Sequence, residues 1–276
     1  LYRQIDGIRC QSRMGGSSST GGFYAGPCLD NPKSREYAGK FLCALAQRYK
    51  DHPAMLGYDI WNECNYAENI CCCPYTLKVY QQWLERKYGN IQTLNKIWHR
   101  YSYTNFSQIG PPPELSLYPE SIDWIEFRKE NFYEQMQWRI DTIRSIDSKN
   151  LITAHGTADT MSVKACVRGH DDWLAASKVQ IYGYTFVPSR RGNEAWKAFH
   201  AGDLTRCASE EKSFWHAETQ GGPLWLQPQV WGRSRHDGRI SSPSDIRQWN
   251  LTSVMCGARG LLNPRWRPLL DGPLFG

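Results

Sequence analysis

Short apolar runs of strand length alternate along this chain with stretches whose apolar residues recur at helical spacing, and this alternation is the tightest constraint on its fold. Ser34 to Lys50 carries Tyr37, Phe41, Leu42, Leu45, Ala46 and Tyr49 at helical spacing. Asp51-His52-Pro53 ends that helix, because proline disfavours helical geometry in the residue before it. Ala54 to Trp61 is a mostly apolar run that stops abruptly at Asn62-Glu63-Cys64-Asn65. Helices are expected over Tyr75 to Tyr88, closed by Gly89, and around Ile91 to Trp98. After the Pro111-Pro112-Pro113 loop, a long helix is expected from about Ile122 to Ile146. The second half repeats the pattern. Strands are expected at Leu151 to Ala154, Lys178 to Tyr184, Ser213 to Ala217 and from Gly260 onward. Between them lie helices near Asp172 to Ala176, Ala195 to Cys207 and Pro243 to Cys256. Residues 11–22, 188–194 and 232–243 read as loops.

Strand and helix in alternation imply a parallel sheet with crossover helices, either a barrel or a doubly wound sheet. No Gly-x-Gly-x-x-Gly follows an early strand, so the dinucleotide-binding version has no support. In a barrel, active residues stand at the C-terminal ends of strands. Polar residues fall at several such ends: Asn62-Glu63, His155, Tyr184 and Glu218. The expected fold is therefore α/β, a (β/α)8 TIM barrel, with residues 1–276 forming one partial catalytic barrel. About five strands are visible, so strands ahead of Leu1 are expected to be missing, with a second truncation near the last strand.

Composition narrows the function classes. The net charge of +6 is dispersed, with Lys and Arg interleaved with Asp and Glu, which is not a nucleic-acid footprint. No apolar run is long enough to span a bilayer. The 12 Trp and 15 Tyr serve either a large aromatic core or a cleft that stacks sugar rings. Ten cysteines, three of them adjacent at 71–73, do not resemble the disulfide framework of a small secreted module. They leave a metal site or buried reduced thiols, and favour a reducing, cytoplasmic setting.

Glu63 and Glu218 each follow an apolar strand, and such a pair is what glycoside hydrolysis needs. One carboxyl protonates the leaving oxygen, while the other attacks or stabilises the oxocarbenium-like centre. The Asn62 amide is placed to bind a sugar 2-hydroxyl. Gly221-Gly222-Pro223 allows a sharp turn after Glu218, with Trp215 and Trp225 as candidate walls of a sugar site.

At these residues the chain resembles glycoside hydrolase family 42, β-galactosidases with (β/α)8 barrels. The segment from Tyr49 to Glu63 is similar to the family's fourth strand, where Asn-Glu carries the acid/base. Trp83 to Gly89 and Leu94 to Trp98 look like the two helices after it. Ala217-Glu218, with Gly222-Pro223 and Trp225, looks like the nucleophile strand. Arg247-Gln248-Trp249, Gly257 to Gly260 and Arg265-Trp266-Arg267 resemble the run into strand eight. The resemblance implies retaining hydrolysis of terminal β-D-galactosides, with Glu63 as acid/base and Glu218 as nucleophile, no cofactor for the catalysis, and a homotrimer. It also implies a structural zinc. Cys28, Cys71 and Cys73 match three of the family's ligands, but Thr76 stands where the fourth cysteine falls. Tyr24 occupies the place of a substrate-contacting Arg, and Tyr184 is the remaining substrate-contact candidate. The Tyr24 departure keeps open another glycoside, such as an α-L-arabinopyranoside; a non-catalytic sugar-binding barrel is the third reading. His155 and His216 are candidates to line the cleft, Asp171-Asp172 reads as a helix cap, and the role of Asp59 is open.

Overall fold

The computed structural model describes residues 7–12, 27–64, 71–113, 118–158, 169–186, 195–219, 225–226 and 239–263. These fall into two compact units. The first comprises Leu1–Met55, Asn65–Asn150 and Val163–Asp171; the second comprises Leu56–Cys64, Leu151–Ser162 and Asp172–Gly276.

The first unit is helical. α1 (Pro32–Tyr49) starts where the Asn31 side chain accepts the Lys33 N–H and Pro32 supplies a preset φ. α2 (Pro74–Tyr88) begins on a proline and closes at Gly89, whose φ of +73° suits glycine. α3 (Ile91–Trp98) is capped by Asn90. α4 (Tyr118–Arg144) packs against the other three. Their shared core is aromatic. The Tyr80 ring meets Trp124 edge-on at 4.7 Å and Phe127 at 4.9 Å. The buried Asp123 carboxylate accepts from Lys87 Nζ, Tyr88 OH and Trp98 Nε1 at 2.6–2.8 Å, so a buried charge is fully paired. Much of the chain's aromatic content is therefore core.

The second unit carries the sheet. β1 (Gly57–Asp59), β2 (Leu151–Gly156), β3 (Ile181–Phe186), β4 (Phe214–Thr219) and β7 (Gly260–Leu261) are parallel, in spatial order β1-β2-β3-β4-β7. α5 (Asp172–Lys178), α6 (Ala195–Ser209) and α7 (Pro243–Met255) are the crossovers between successive strands from β2 to β7. α7 opens on a capping box, with Ser242 and Asp245 each satisfying the other's backbone N–H. β5 (Trp225–Leu226) and β6 (Arg239–Ile240) form a separate antiparallel pair. Strand alternation divides the side chains. Tyr182, Tyr184, Phe186, Phe214 and His216 are buried, most of them against α6 and α7, whereas Gly57, Asp59, Thr153, Gly183, Trp215 and Ala217 line a cavity of about 190 Å³ on the other face.

Candidate active site and thiol cluster

Both glutamates sit at the C-terminal ends of strands in this one parallel sheet, and at both the ladder loses its regular step. After β1, the His155 N–H donates to Trp61 O at 3.4 Å. A regular parallel ladder would return the next bond from the N–H of residue 63 to His155 O. Instead Cys64 N–H donates there, at 2.7 Å. From Ile60 N–H on Thr153 O to Cys64 N–H on His155 O the chain advances four residues against two, so it runs two residues long, and Asn62-Glu63 turns outward between two bonds to His155. Glu63 takes up the excess with φ +49°, a left-handed conformation that costs a non-glycine residue on the order of 1 kcal/mol. Asn62 is exposed and Glu63 half-buried.

On β4 the same device recurs. His216 pairs with Tyr184, but the next pair is Thr185 with Glu218, so Ala217 is the extra residue. With no bulge, strict alternation would send Glu218 to the helix-covered face with Phe214 and His216. With it, Ala217 and Glu218 are both half-buried, and Thr219 returns to the buried face, where its hydroxyl donates to Asn250. The Thr185 hydroxyl donates to Glu218 Oε2 at 3.3 Å. Bulges re-aim side chains in this way beside active sites.

Beneath the glutamates the inner face is tightly filled. A Cβ on Gly183 would lie 2.6 Å from Ala217 Cβ and 3.2 Å from His155 Cβ. A Cβ on Gly260 would lie 2.7 Å from the Trp215 ring, so that indole lies against the backbone of β7. His155 Nδ1 stands 2.8 Å from Asp59 Oδ2. That contact fixes the imidazole with its proton on Nδ1, and gives the open residue Asp59 a partner. Among the described residues, the buried His155 Nε2 has no hydrogen-bond partner.

Two residues expected near the substrate are placed elsewhere. Tyr184 is buried on the outer face, stacked on His216 at 4.3 Å, and its hydroxyl donates to Ser253 Oγ of α7 at 3.1 Å. His216 Nδ1 is 2.8 Å from the same Ser253 Oγ, and Nε2 is 3.2 Å from Phe186 O. Burial lowers the His216 pKa to about 4, so the ring is neutral at pH 7. With the ring neutral, Nε2–H donates to Phe186 O, and the Ser253 hydroxyl, which accepts from Tyr184, stands within hydrogen-bond reach of both Nδ1 and Trp249 O. Burial pushes the Tyr184 hydroxyl upward, away from ionisation. The geometry puts both rings in the packing layer between sheet and helices, because their parity on β3 and β4 points them there. Tyr24, the 221–223 turn and residues 265–267 lie outside the described residues, as do loops 188–194 and 232–238 and the side chain of Trp225, whose backbone pairs with Ile240.

The helical unit holds a cluster of thiols. Cys28, Cys71 and Cys73 come together as the family resemblance implies, and Cys10 joins them. The Sγ atoms of Cys10, Cys28 and Cys71 lie within 4.8 Å of one another, and Cys28 and Cys73 Sγ are 3.5 Å apart. All four are buried. Thr76 touches the cluster, 3.3 Å from Cys28 Sγ, but its hydroxyl proton goes to Asp30 Oδ2 at 2.7 Å. Cys64 belongs to the sheet unit, where its thiol donates to Trp61 O at 3.4 Å. Cys10 was missed because it precedes Cys28 across the Gly/Ser-rich stretch, with no spacing that links the two.

Comparison with known proteins gives a consistent answer. The sequence model of the glycoside hydrolase 42 family, described as beta-galactosidase, matches residues 10–272. A beta-galactosidase of Heyndrickxia coagulans is 24% identical over 256 residues, covering 87% of this chain and 35% of that protein. One from Thermus thermophilus is 24% identical, covering 87% of this chain and 38% of that protein. The chain thus spans little more than a third of the length of these relatives. The solved beta-galactosidase of Halorubrum lacusprofundi superposes with a TM-score of 0.80 at 20% identity, covering 99% of this chain and 42% of that one. An exo-carrageenase of the same family from Bacteroides ovatus gives 0.70 at 17% identity, covering 90% and 36%. The shared fold is the TIM barrel, in agreement with the alternation of elements.

Proposed function

The chain belongs to glycoside hydrolase family 42, and from that premise we propose that the protein is a retaining glycosidase that removes terminal β-D-galactosides. The observation that carries the reading is the pair Glu63 and Glu218, at the C-terminal ends of two strands of one parallel sheet, each where the ladder takes in extra chain. In this reading Glu218 attacks the anomeric carbon while Glu63 protonates the leaving oxygen, and Glu63 then activates the water that releases the sugar. Retention requires carboxyl groups about 5–5.5 Å apart. Asn62 binds the 2-hydroxyl, and Trp225 and Tyr24 complete the sugar site. The His155–Asp59 contact steadies the residue whose backbone brackets Asn62-Glu63. No cofactor enters the chemistry.

A second reading is another glycoside on the same machinery. Tyr24 in place of an Arg favours it, as does the likeness to a family member named for carrageenan. A purely sugar-binding barrel has no use for two re-aimed carboxylates. The expected partners are carbohydrate and two further copies of the chain, in a reducing compartment; no described helix is long and apolar enough to cross a membrane.

Hydrolysis of a panel of nitrophenyl glycosides by the intact protein tests the proposal. We expect β-galactoside to be cleaved fastest, and Glu63→Gln and Glu218→Gln each to lower kcat by at least about 10³-fold, the order lost when a catalytic group is removed. Azide added to the alanine variants should give the α-glycosyl azide from Glu218→Ala and the β-anomer from Glu63→Ala. Undiminished activity in both glutamine variants would refute the assignment.

A further inference from the structure

We propose that Cys10 supplies the fourth thiolate of the zinc site that the family resemblance implies on Cys28, Cys71 and Cys73, the ligand that Thr76 cannot be. The inference is independent of the catalytic reading, since all four residues belong to the helical unit.

Three observations carry it. The first is size. A tetrahedral zinc with Zn–S bonds of about 2.3 Å places its sulfurs about 3.8 Å apart. The cluster has one Sγ pair at 3.5 Å and three Sγ atoms within 4.8 Å, so small rotations of side chains close the shell. The second is how Cys10 is held. Cys28 N–H donates to Ile8 O, and Cys72 N–H donates to Gln11 O, both at 2.7 Å. The residues on either side of Cys10 are thus tied by backbone bonds to the segments that carry the other ligands. Gln11 N–H also points at Cys71 Sγ, at 3.4 Å, the donor that a metal-bound thiolate takes from its surroundings. The third concerns Thr76. An alcohol keeps its proton at neutral pH, and this proton is given to Asp30, so the hydroxyl stays a neighbour of the shell. Side chains of cysteine, histidine and carboxylate build closed zinc sites, usually with four ligands. Cys10 is the fourth such group at this place.

The test begins with the intact wild-type protein purified without chelator. Metal analysis should give about one zinc per chain, and X-ray absorption at the zinc edge a shell of four sulfurs at about 2.3 Å with no nitrogen or oxygen. This measurement needs no variant to fold. Cys10→Ser should then lose zinc to a competing chelator at least tenfold faster than wild type. Its cobalt-substituted form should lose about a quarter of the thiolate charge-transfer absorption, one sulfur in four. Thr76→Ala should match wild type in both readouts. Zinc near zero in the wild type, a shell of three sulfurs with one lighter atom, or a Cys10→Ser protein that keeps the four-sulfur spectrum would each overturn the proposal.

Discussion

Replacing Gly183 by alanine tests how the inner face of the sheet is built. The new Cβ would lie 2.6 Å from Ala217 Cβ, and 3.2 Å from both His155 Cβ and Trp215 O. Carbon atoms meet comfortably at about 3.5–4.0 Å, and neither Cβ can rotate away because each is fixed to its backbone. Relief has to come from moving β3 away from β4. Overpacking of this kind costs about 1–3 kcal/mol, of which alanine recovers about 0.4–1 by restricting the unfolded chain. The net expectation is a loss of about 1–2 kcal/mol, a factor of about 5–30 in the folded-to-unfolded ratio. Activity should fall further, since the displaced Ala217 is bonded to Glu218, and a shift of about 1 Å in a reacting group can cost about 10²-fold. The assay pairs a urea midpoint, at unchanged m, with kcat on a nitrophenyl β-galactoside. Adding Ala217→Gly removes the shortest contact and should restore at least half of the lost stability. A Gly183→Ala protein with wild-type midpoint and kcat would show that the strands are not packed this closely.

Two further predictions concern the outer face. Tyr184→Phe deletes one buried hydrogen bond and should cost about 1 kcal/mol in the urea midpoint while KM for the galactoside stays put; a raised KM with stability intact would move the ring to the substrate site. His216 has a folded pKa of about 4 against about 6.5 when unfolded, so the unfolded chain alone takes up a proton between those values. Stability should therefore fall as pH drops from about 6.5 towards 4, by about 3 kcal/mol in all, and His216→Gln should lack that component when midpoints at pH 7 and 4.5 are compared.

The elements were legible where local chemistry decides them. α3 runs from Ile91 to Trp98 as its spacing predicts, and α7 starts at Pro243 behind its capping box. α4 begins at Tyr118, ahead of the expected Ile122, and α5 continues to Lys178, so β3 starts only at Ile181. β1 is shorter than its apolar run because Met55 N–H closes a turn on His52. Glu63 and Glu218 stood out as polar residues after apolar runs. Their direction did not, since an added residue in a ladder leaves no mark in periodicity; Glu218 lies inside β4 rather than beyond it. The Asp59–His155 contact and the place of Cys10 were equally hidden, because both pair residues distant in the chain.

The extra residue at Ala217 has a consequence for how this chain tolerates change. Which way Glu218 faces is set by the bulge in the β3–β4 ladder, which pairs it with Thr185. Substitutions around it act by degrees, through packing or hydrogen bonding. Straightening the bulge at constant length would instead turn the carboxylate to the other face, into the apolar layer beside Tyr184, whereas deleting Ala217 would leave it opposite Thr185 and facing inward. Drift in this segment is therefore permissive towards any replacement that keeps Glu218 opposite Thr185, and closed to those that let the strand regularise around it.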